Sequence, residues 1–134
     1  MSGVQRVSSG APWEARVGYC RAVRNGPHIW VAGTVSVDDD GQVHGRGDME
    51  SQTARCIAII KKALGELDAD LTHIMRTRVF VTDMSAEAQA AFGRAHSAAF
   101  GDHPPASTLV GVAALASPDF IVEVEADAFV SGDA

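Results

Sequence analysis

Cysteine is scarce in this sequence, in which Cys20 and Cys56 are the only two residues of that type. Two cysteines do not make the disulfide framework of a small secreted protein, and no cysteine or histidine lies close enough to another to suggest a zinc pair. The aspartate-rich turn at 38–41 does not fit a calcium loop, because Gly47 stands where the bidentate glutamate should be. We therefore expect reduced thiols, no metal site and no cofactor.

Long apolar runs are also absent. The longest uninterrupted apolar stretch covers only a few residues, and the N-terminus shows no charged segment followed by an apolar one. A helix that crosses a bilayer needs about 20 apolar residues, and a secretory leader needs that charged-then-apolar pattern. We expect neither a membrane span nor a signal peptide, and we expect a cytoplasmic location.

Positive charge is in short supply. Eleven Lys and Arg residues stand against 17 Asp and Glu, which gives a formal net charge of −6, and the basic residues are spread along the chain. Binding to a phosphate backbone depends on clustered basic side chains, so we do not expect nucleic acid as a partner. The sequence also lacks a Gly-x-Ser-x-Gly elbow, a phosphate loop and a dinucleotide fingerprint, which disfavours the commonest hydrolase and nucleotide-enzyme folds.

What is present fits one globular domain. The chain has 134 residues, of which 46% are hydrophobic and 21% charged, so a single domain over residues 1–134 can bury a core. Residues 9–12 read as a turn-rich insertion, and the turn at 25–27 predicts a hairpin between its two flanking strands. Runs of β-branched and alternating residues predict six strands, at 4–8, 18–23, 28–35, 74–82, 107–115 and 120–130.

Two helices complete the pattern. Asp48 is a suitable N-cap for a helix whose apolar residues recur at steps of three and four from Met49 to Leu67. Ser85 can cap a second helix, which Gly101 and the following prolines end after Phe100. The resulting order, β β β α β α β β, predicts an α+β fold with both helices on one face of the sheet.

The last predicted strand carries a row of carboxylates. Glu123, Glu125 and Asp127 alternate with apolar residues, so a period of two places them on one side. Because such a row is not buried without partners, we expect either a solvated sheet face or ion pairs with Arg76 and Arg78 of another strand. This structural role is the preferred interpretation for Glu125 and Asp127.

A phenol and a guanidinium stand two residues apart in the second predicted strand. Tyr19 and Arg21 would point to the same side and could together hold a small anion; the alternative is cross-strand packing with one surface ion pair. Cys20 would point the other way and has no neighbouring base, so we expect it to be inert. His96 lies on the apolar face of the second helix, where we expect a core or interface residue.

Several segments, in order along the chain, carry a resemblance to a known family. They are 18–23, 29–34, the Gln52-Thr53 pair, 79–83, Phe100, 105–110 and 122–126. Through them the sequence resembles, over nearly its whole length, the YjgF/RidA family, also called the endoribonuclease L-PSP family. Several spaced segments in one order are more specific than one motif.

The resemblance implies a homotrimer with a chorismate-mutase-like fold. In this family the sheets form a central barrel-like core, and small-molecule metabolites bind in clefts between subunits. Archetypal members hydrolyse enamines and imines of amino acids to the keto acid and ammonia. Glu123 matches the cleft glutamate that positions or activates water, Tyr19 matches the cleft tyrosine, and Gly33 matches a cleft backbone position.

Two expected cleft side chains differ here. Ser107 stands where archetypal members carry the arginine that grips the substrate carboxylate, and Leu109 stands where they carry a cysteine. Loss of such a charge-assisted contact costs a few kcal/mol, or about a hundredfold in affinity. Three interpretations stay open: a deaminase-type hydrolase with Glu123 catalytic and Tyr19 and Arg21 as ligand anchors; a non-catalytic, metabolite-binding or regulatory trimer; and, least favoured by the charge, an endoribonuclease.

Overall fold

Six strands form one sheet in a computed structural model that describes residues 3–132. The strand order is β1-β2-β3-β6-β4-β5, in which β4 and β5 run parallel and all other neighbours are antiparallel. The elements are β1 Val4–Val7, α1 Pro12–Val17, β2 Ala22–Asn25, β3 His28–Val35, α2 Met49–Gly65, a 3₁₀ turn Leu71–His73, β4 Ile74–Val81, α3 Ala86–Phe100, β5 Ala106–Gly111 and β6 Val122–Phe129. The predicted α+β class is confirmed.

The two long helices begin where the sequence predicts. The Asp48 side chain accepts a hydrogen bond from the Ser51 N–H at 3.0 Å, and the Ser85 hydroxyl accepts one from the Ala88 N–H at 3.1 Å. Each cap satisfies a backbone donor that the first helical turn leaves without a partner. Helix α2 packs on β3, β6 and α3, so both long helices lie on one face of the sheet, as predicted.

The core lies between these helices and one face of the sheet, which we call the core face. Alternate residues of β6 from Val122 to Ala128 are buried there, together with Val79 and Val81 of β4. Helix α2 contributes Cys56, Ile60 and Leu64 from its apolar stripe. The opposite, open face carries Trp30, Arg78, Glu125 and Asp127.

A buried amide fixes the entry into β6. The Gln52 side chain donates to the carbonyls of Gly45 and Asp119, and its oxygen accepts the Ile121 N–H at 3.1 Å. These bonds satisfy an amide with no exposed surface. They also connect α2 to the residue immediately before β6, which sets the position of Glu123.

Residues 9–11 are irregular and contain serine-based turns, as predicted, but the sequence analysis places no helix after them, whereas helix α1 begins at Pro12. Proline suits the first helical position, and Gly18, with φ of 91°, closes the helix by donating its N–H to the Glu14 carbonyl. A six-residue helix makes fewer than two turns and therefore shows no apolar periodicity. The predicted strand at 18–23 starts only at Ala22, because Gly18 caps α1 and the Tyr19 N–H still bonds back to the Glu14 carbonyl.

Candidate functional site

A β-bulge in β3 creates the site. Val31 pairs with Ala126 and Thr34 pairs with Val124, so β3 contains one residue more than β6 between these pairs. Gly33 lies in that bulge, against the side chain of Glu123 from β6. A Cβ atom at Gly33 would lie 2.3 Å from Glu123 Oε2 and 3.0 Å from its Cδ. Glycine at this position therefore leaves the space that the carboxylate occupies.

The Glu123 carboxylate is half-buried and accepts no hydrogen bond from any side chain or backbone group of residues 3–132. Burial raises the pKa of Glu123 above its usual value, Glu125 raises it further, and the positive charge of Arg21 partly offsets both. Desolvation penalises the charged form of a carboxyl group. Glu123 is thus a carboxylate of increased basicity with both oxygens available.

Arg21 is a buried cation beside this carboxylate. Its exposed fraction is 6%, and its Nη2 donates to the Gly33 carbonyl at 2.9 Å. Its guanidinium carbon lies 5.7 Å from the centre of the Tyr19 ring, within range of a cation–π interaction. Nε has no hydrogen-bond partner among the described residues. Arg21 therefore ties Tyr19 to the bulge and supplies positive charge next to Glu123.

The predicted proximity of Tyr19 and Arg21 is found, but its strand-based reason is wrong. Both residues precede β2, and the Arg21 N–H bonds to the Val7 carbonyl at 2.7 Å as the chain enters the sheet. Cys20 also precedes β2 and lines the same groove as Tyr19, so the strand alternation that placed it on the opposite side does not apply. Cys20 and Cys56 are free thiols.

Glu14, on α1, is a second buried carboxylate that the sequence analysis missed. It accepts hydrogen bonds from Ser8 Oγ at 2.9 Å, from the Ser9 N–H at 3.1 Å and from the Ser9 hydroxyl. Burial alone would raise the pKa of Glu14, but these serine hydrogen bonds and the charge of Arg21 hold it below its usual value. No spacing rule signals this cluster, because it depends on the undetected helix.

An open groove of about 650 Å³ adjoins Glu14 and Tyr19, while Arg21, Gly33 and Glu123 do not line it. Tyr19, Cys20 and Trp30 line it, as do the acidic residues Glu125 and Asp127. Arg78 Nη1 lies 3.5 Å from Glu125 and 3.2 Å from Asp127, which confirms the predicted ion pairs for Arg78. Arg76 forms no ion pair within the part of the chain that the structure describes.

Ser107 and Leu109 lie apart from this cluster. They belong to β5 at the edge of the sheet, where Thr77 pairs with Ser107 and Val79 pairs with Leu109. Because Leu109 packs against the core while Glu123 alternates with core residues, the two point to opposite sides of the sheet. One chain thus brings together Tyr19, Arg21, Gly33 and Glu123, and leaves Ser107 and Leu109 two strands away on the other face.

His96 is linked to Ser107 only through the Thr77 hydroxyl, among the contacts of residues 3–132. Its imidazole is half-buried between Phe92 and Phe100, with ring centres 5.1 and 4.7 Å away, and its Nε2 lies 3.0 Å from Thr77 Oγ1. Burial lowers the pKa of His96. The expectation of a packed residue agrees with these contacts.

Two classes of site receive no support from the geometry. Residues 3–132 contain no group of three or more His, Cys, Asp or Glu side chains arranged to hold a metal ion. Over the same residues, no helix combines the length and apolar character that crossing a bilayer requires.

Comparison with known proteins identifies the family. The model of the endoribonuclease L-PSP family matches residues 9–130. An uncharacterized protein of Streptomyces coelicolor is 35% identical over 126 residues, covering 94% of this chain and 92% of the relative, and a RutC family protein of Pyrococcus abyssi is 32% identical over 111 residues, covering 83% and 85%. The crystal structure of Rv2704, a YjgF/YER057c/UK114 family member from Mycobacterium tuberculosis, has a TM-score of 0.84 and 41% identity, covering 95% of this chain and 99% of that one. The chain therefore belongs to the endoribonuclease L-PSP family, the YjgF/RidA proteins that its sequence segments resemble.

Proposed function

We propose that this protein hydrolyses the carbon–nitrogen bond of a small imine or enamine, with Glu123 as the catalytic residue. The observation that carries the proposal is the Glu123 carboxylate: half-buried, of raised pKa, and without a hydrogen-bond donor among residues 3–132. A structural carboxylate in this position would be expected to have such donors, as Glu14 has. A general base needs free lone pairs and increased basicity, and Glu123 has both.

The reaction needs no redox step. Glu123 accepts a proton from a water molecule as the water oxygen adds to the carbon of the protonated imine, which gives a neutral carbinolamine and a protonated Glu123. Glu123 returns that proton to the nitrogen. As the carbon–nitrogen bond breaks, the hydroxyl proton passes to Glu123, and the carbonyl product and ammonia leave. Each step is a proton transfer or a polar addition that one carboxylate can serve in both directions. An enamine enters the same sequence after protonation at carbon.

We propose that the working cleft forms between subunits of a homotrimer. Within one chain, Glu123 and Ser107 lie on opposite faces of the sheet, two strands apart, so a cleft that contains both needs residues from two copies. The open face also leaves Trp30 48% and Tyr19 38% exposed, and large aromatic side chains are common in the buried centres of interfaces. Both observations support assembly through this face.

We propose different roles for Tyr19 and Arg21. The Tyr19 side chain lines the groove and can contact a ligand, whereas the space beside Gly33 is filled by the Glu123 carboxylate. Arg21 is held by the Gly33 carbonyl and is almost fully buried, so its best-supported role is to position the bulge and to attract the Glu123 charge. It does not take the place of the arginine that Ser107 replaces.

A non-catalytic metabolite binder is the second candidate. Ser107 and Leu109 together remove the cation and the thiol of the archetypal cleft, which favours a ligand other than a 2-imino acid. RNA hydrolysis is least favoured, because three carboxylates line the open face of a chain whose net charge is −6.

Ammonia release from freshly generated 2-aminoacrylate and from a panel of imines tests the proposal. Glu123→Gln should lower turnover by about a hundredfold or more. Glu50→Gln is the matched control, because Glu50 lies on α2, does not line the groove and already pairs with Arg94. Normal turnover by Glu123→Gln contradicts the assignment, and ligand-induced thermal stabilisation without any product favours the binder.

A further inference from the structure

A chain of three hydrogen-bonded side chains leads from the core to Ser107. Thr77 Oγ1 lies 2.7 Å from Ser107 Oγ and 3.0 Å from His96 Nε2. Thr77 is fully buried on β4, whereas Ser107 is exposed on the edge strand β5. This hydrogen-bonded series therefore has a protected inner end and an outer end, at Ser107, that a ligand can reach.

The imidazole at the inner end is fixed and uncharged near neutral pH. Phe92 and Phe100 hold its ring on two sides, Thr77 binds its Nε2 from β4, and Ser107 follows beyond Thr77. Burial alone lowers the pKa of His96, with no charged neighbour contributing. Archetypal relatives carry a permanently charged arginine at the position of Ser107. Here the side chains behind Ser107, those of Thr77 and His96, are neutral.

The proton count of the chain fixes what Ser107 can offer. Thr77 has one hydroxyl proton and gives it either to His96 or to Ser107. When His96 carries its proton on Nε2, Thr77 donates to Ser107, and the Ser107 hydroxyl points outward as a donor. When His96 carries its proton on Nδ1, the direction reverses, and Ser107 presents lone pairs outward.

We propose that the His96–Thr77–Ser107 chain makes Ser107 an uncharged, two-way hydrogen-bonding contact, and that the ligand group it meets is a neutral carboxamide or carbonyl and not a carboxylate. The inference rests on the proposed function, because that proposal places Ser107 in the cleft. A carboxylate removed from water needs charge-assisted donors, which a serine hydroxyl does not supply. An amide has a carbonyl acceptor and an N–H donor, and either direction of the chain satisfies one of them. His96 and Thr77 are positioning residues in this scheme.

Pyruvamide and pyruvate are suitable probes, because they share a skeleton and differ in charge at one group. Dissociation constants from NMR titration of the wild-type protein should favour pyruvamide by about tenfold or more, and Ser107→Arg should reverse the order. Thr77→Val should weaken pyruvamide binding to the affinity of the Ser107→Ala variant. Thr77→Ser, which keeps the hydroxyl, should bind pyruvamide as the wild type does. Thr53→Val is the matched control, since Thr53 is equally buried and its hydroxyl bonds, within residues 3–132, only to the Met49 carbonyl.

The ¹⁵N signals of the His96 imidazole separate positioning from packing. Pyruvamide should shift the Nε2 signal of the wild-type protein and leave it unchanged in Thr77→Val, because the link is then broken. Tighter binding of pyruvate than pyruvamide, or unchanged pyruvamide affinity in Thr77→Val, overturns the inference.

The two proposals fail separately. If imines are hydrolysed in a Glu123-dependent way but neither probe binds, the inference on Ser107 falls and the proposed function stands. If pyruvamide binds selectively but no imine is hydrolysed, the catalytic proposal falls and the ligand class stands. If neither binding nor hydrolysis occurs, both are wrong.

Discussion

Replacing Gly33 with alanine tests the contact on which the site is built. The added Cβ would lie 2.3 Å from Glu123 Oε2, which is about 1 Å shorter than an ordinary non-bonded contact. Gly33 is not among the glycines with positive φ, so alanine is compatible with its backbone and the penalty comes from the carboxylate alone. The expected penalty of Gly33→Ala therefore arises from the contact between residue 33 and Glu123.

The change in the free energy of unfolding is estimated for Gly33→Ala with and without the Glu123 side chain. Overpacking costs about 1–3 kcal/mol, and we take the lower end for Gly33→Ala, because a half-buried carboxylate can rotate partly out of the way. In a Glu123→Ala background the clash is gone, and Gly33→Ala should stabilise by about 0.5 kcal/mol through the unfolded state. The expected coupling free energy is therefore about 1.5 kcal/mol.

Urea unfolding of the wild type, both single variants and the double variant, at one protein concentration, measures this coupling. Equal destabilisation by Gly33→Ala in both backgrounds would refute the reasoning, since the cost would then lie in the backbone of the bulge. Ammonia release by Gly33→Ala gives a second readout, because displacement of the carboxylate should lower turnover even where stability is nearly retained.

Three further predictions concern titratable groups. Glu123 has a raised folded-state pKa, so the stability it contributes is present below its usual value of 4.5 and lost as the pH rises through the folded pKa. Glu123→Gln should accordingly gain stability relative to the wild type between pH 4 and pH 7, as urea midpoints will show. Glu14 has a lowered pKa, so the stability it contributes is present above pH 4.5 and is lost as the pH falls through the folded pKa. The Glu14→Gln variant should therefore be less stable than the wild type at pH 7, and this difference should shrink in acid. A difference that stays constant with pH would contradict the argument. Burial raises the pKa of Cys56 to about 12, so native Cys20→Ser protein should not react with a thiol reagent at pH 8 and should expose one reactive thiol in denaturant.

Local patterns in the sequence predict the regular elements well. The caps at Asp48 and Ser85, and the strands His28–Val35 and Ile74–Val81, follow from side-chain chemistry and periodicity within one segment. Ion pairing of the acidic row with Arg78 also follows, because period two fixes the face of each strand. Edge strand β5 is shorter than predicted, since periodicity does not show where pairing stops.

The candidate site depends on features that no single segment shows. The bulge at Gly33 exists only as a difference in register between β3 and β6, and β6 lies 87 residues or more beyond β3 in the chain. Glu14 is buried on a helix too short to leave a periodic signal, and Arg21 lies in the irregular segment between that helix and β2. The family resemblance indicates Glu123, Tyr19 and Gly33, but the hydrogen-bonded chain behind Ser107 requires three separate elements to meet.

The central place of β6 in the sheet has a consequence for synthesis of the protein. β6 is the last strand in chain order, yet it separates β3 from β4 and bonds to both. Until it leaves the ribosome, β3 and β4 each expose an unpaired edge, and α2 has no central strand to cover. The nascent chain must then complete its most distant pairings last, as one late event, which is the stage at which exposed edges invite aggregation and chaperone binding.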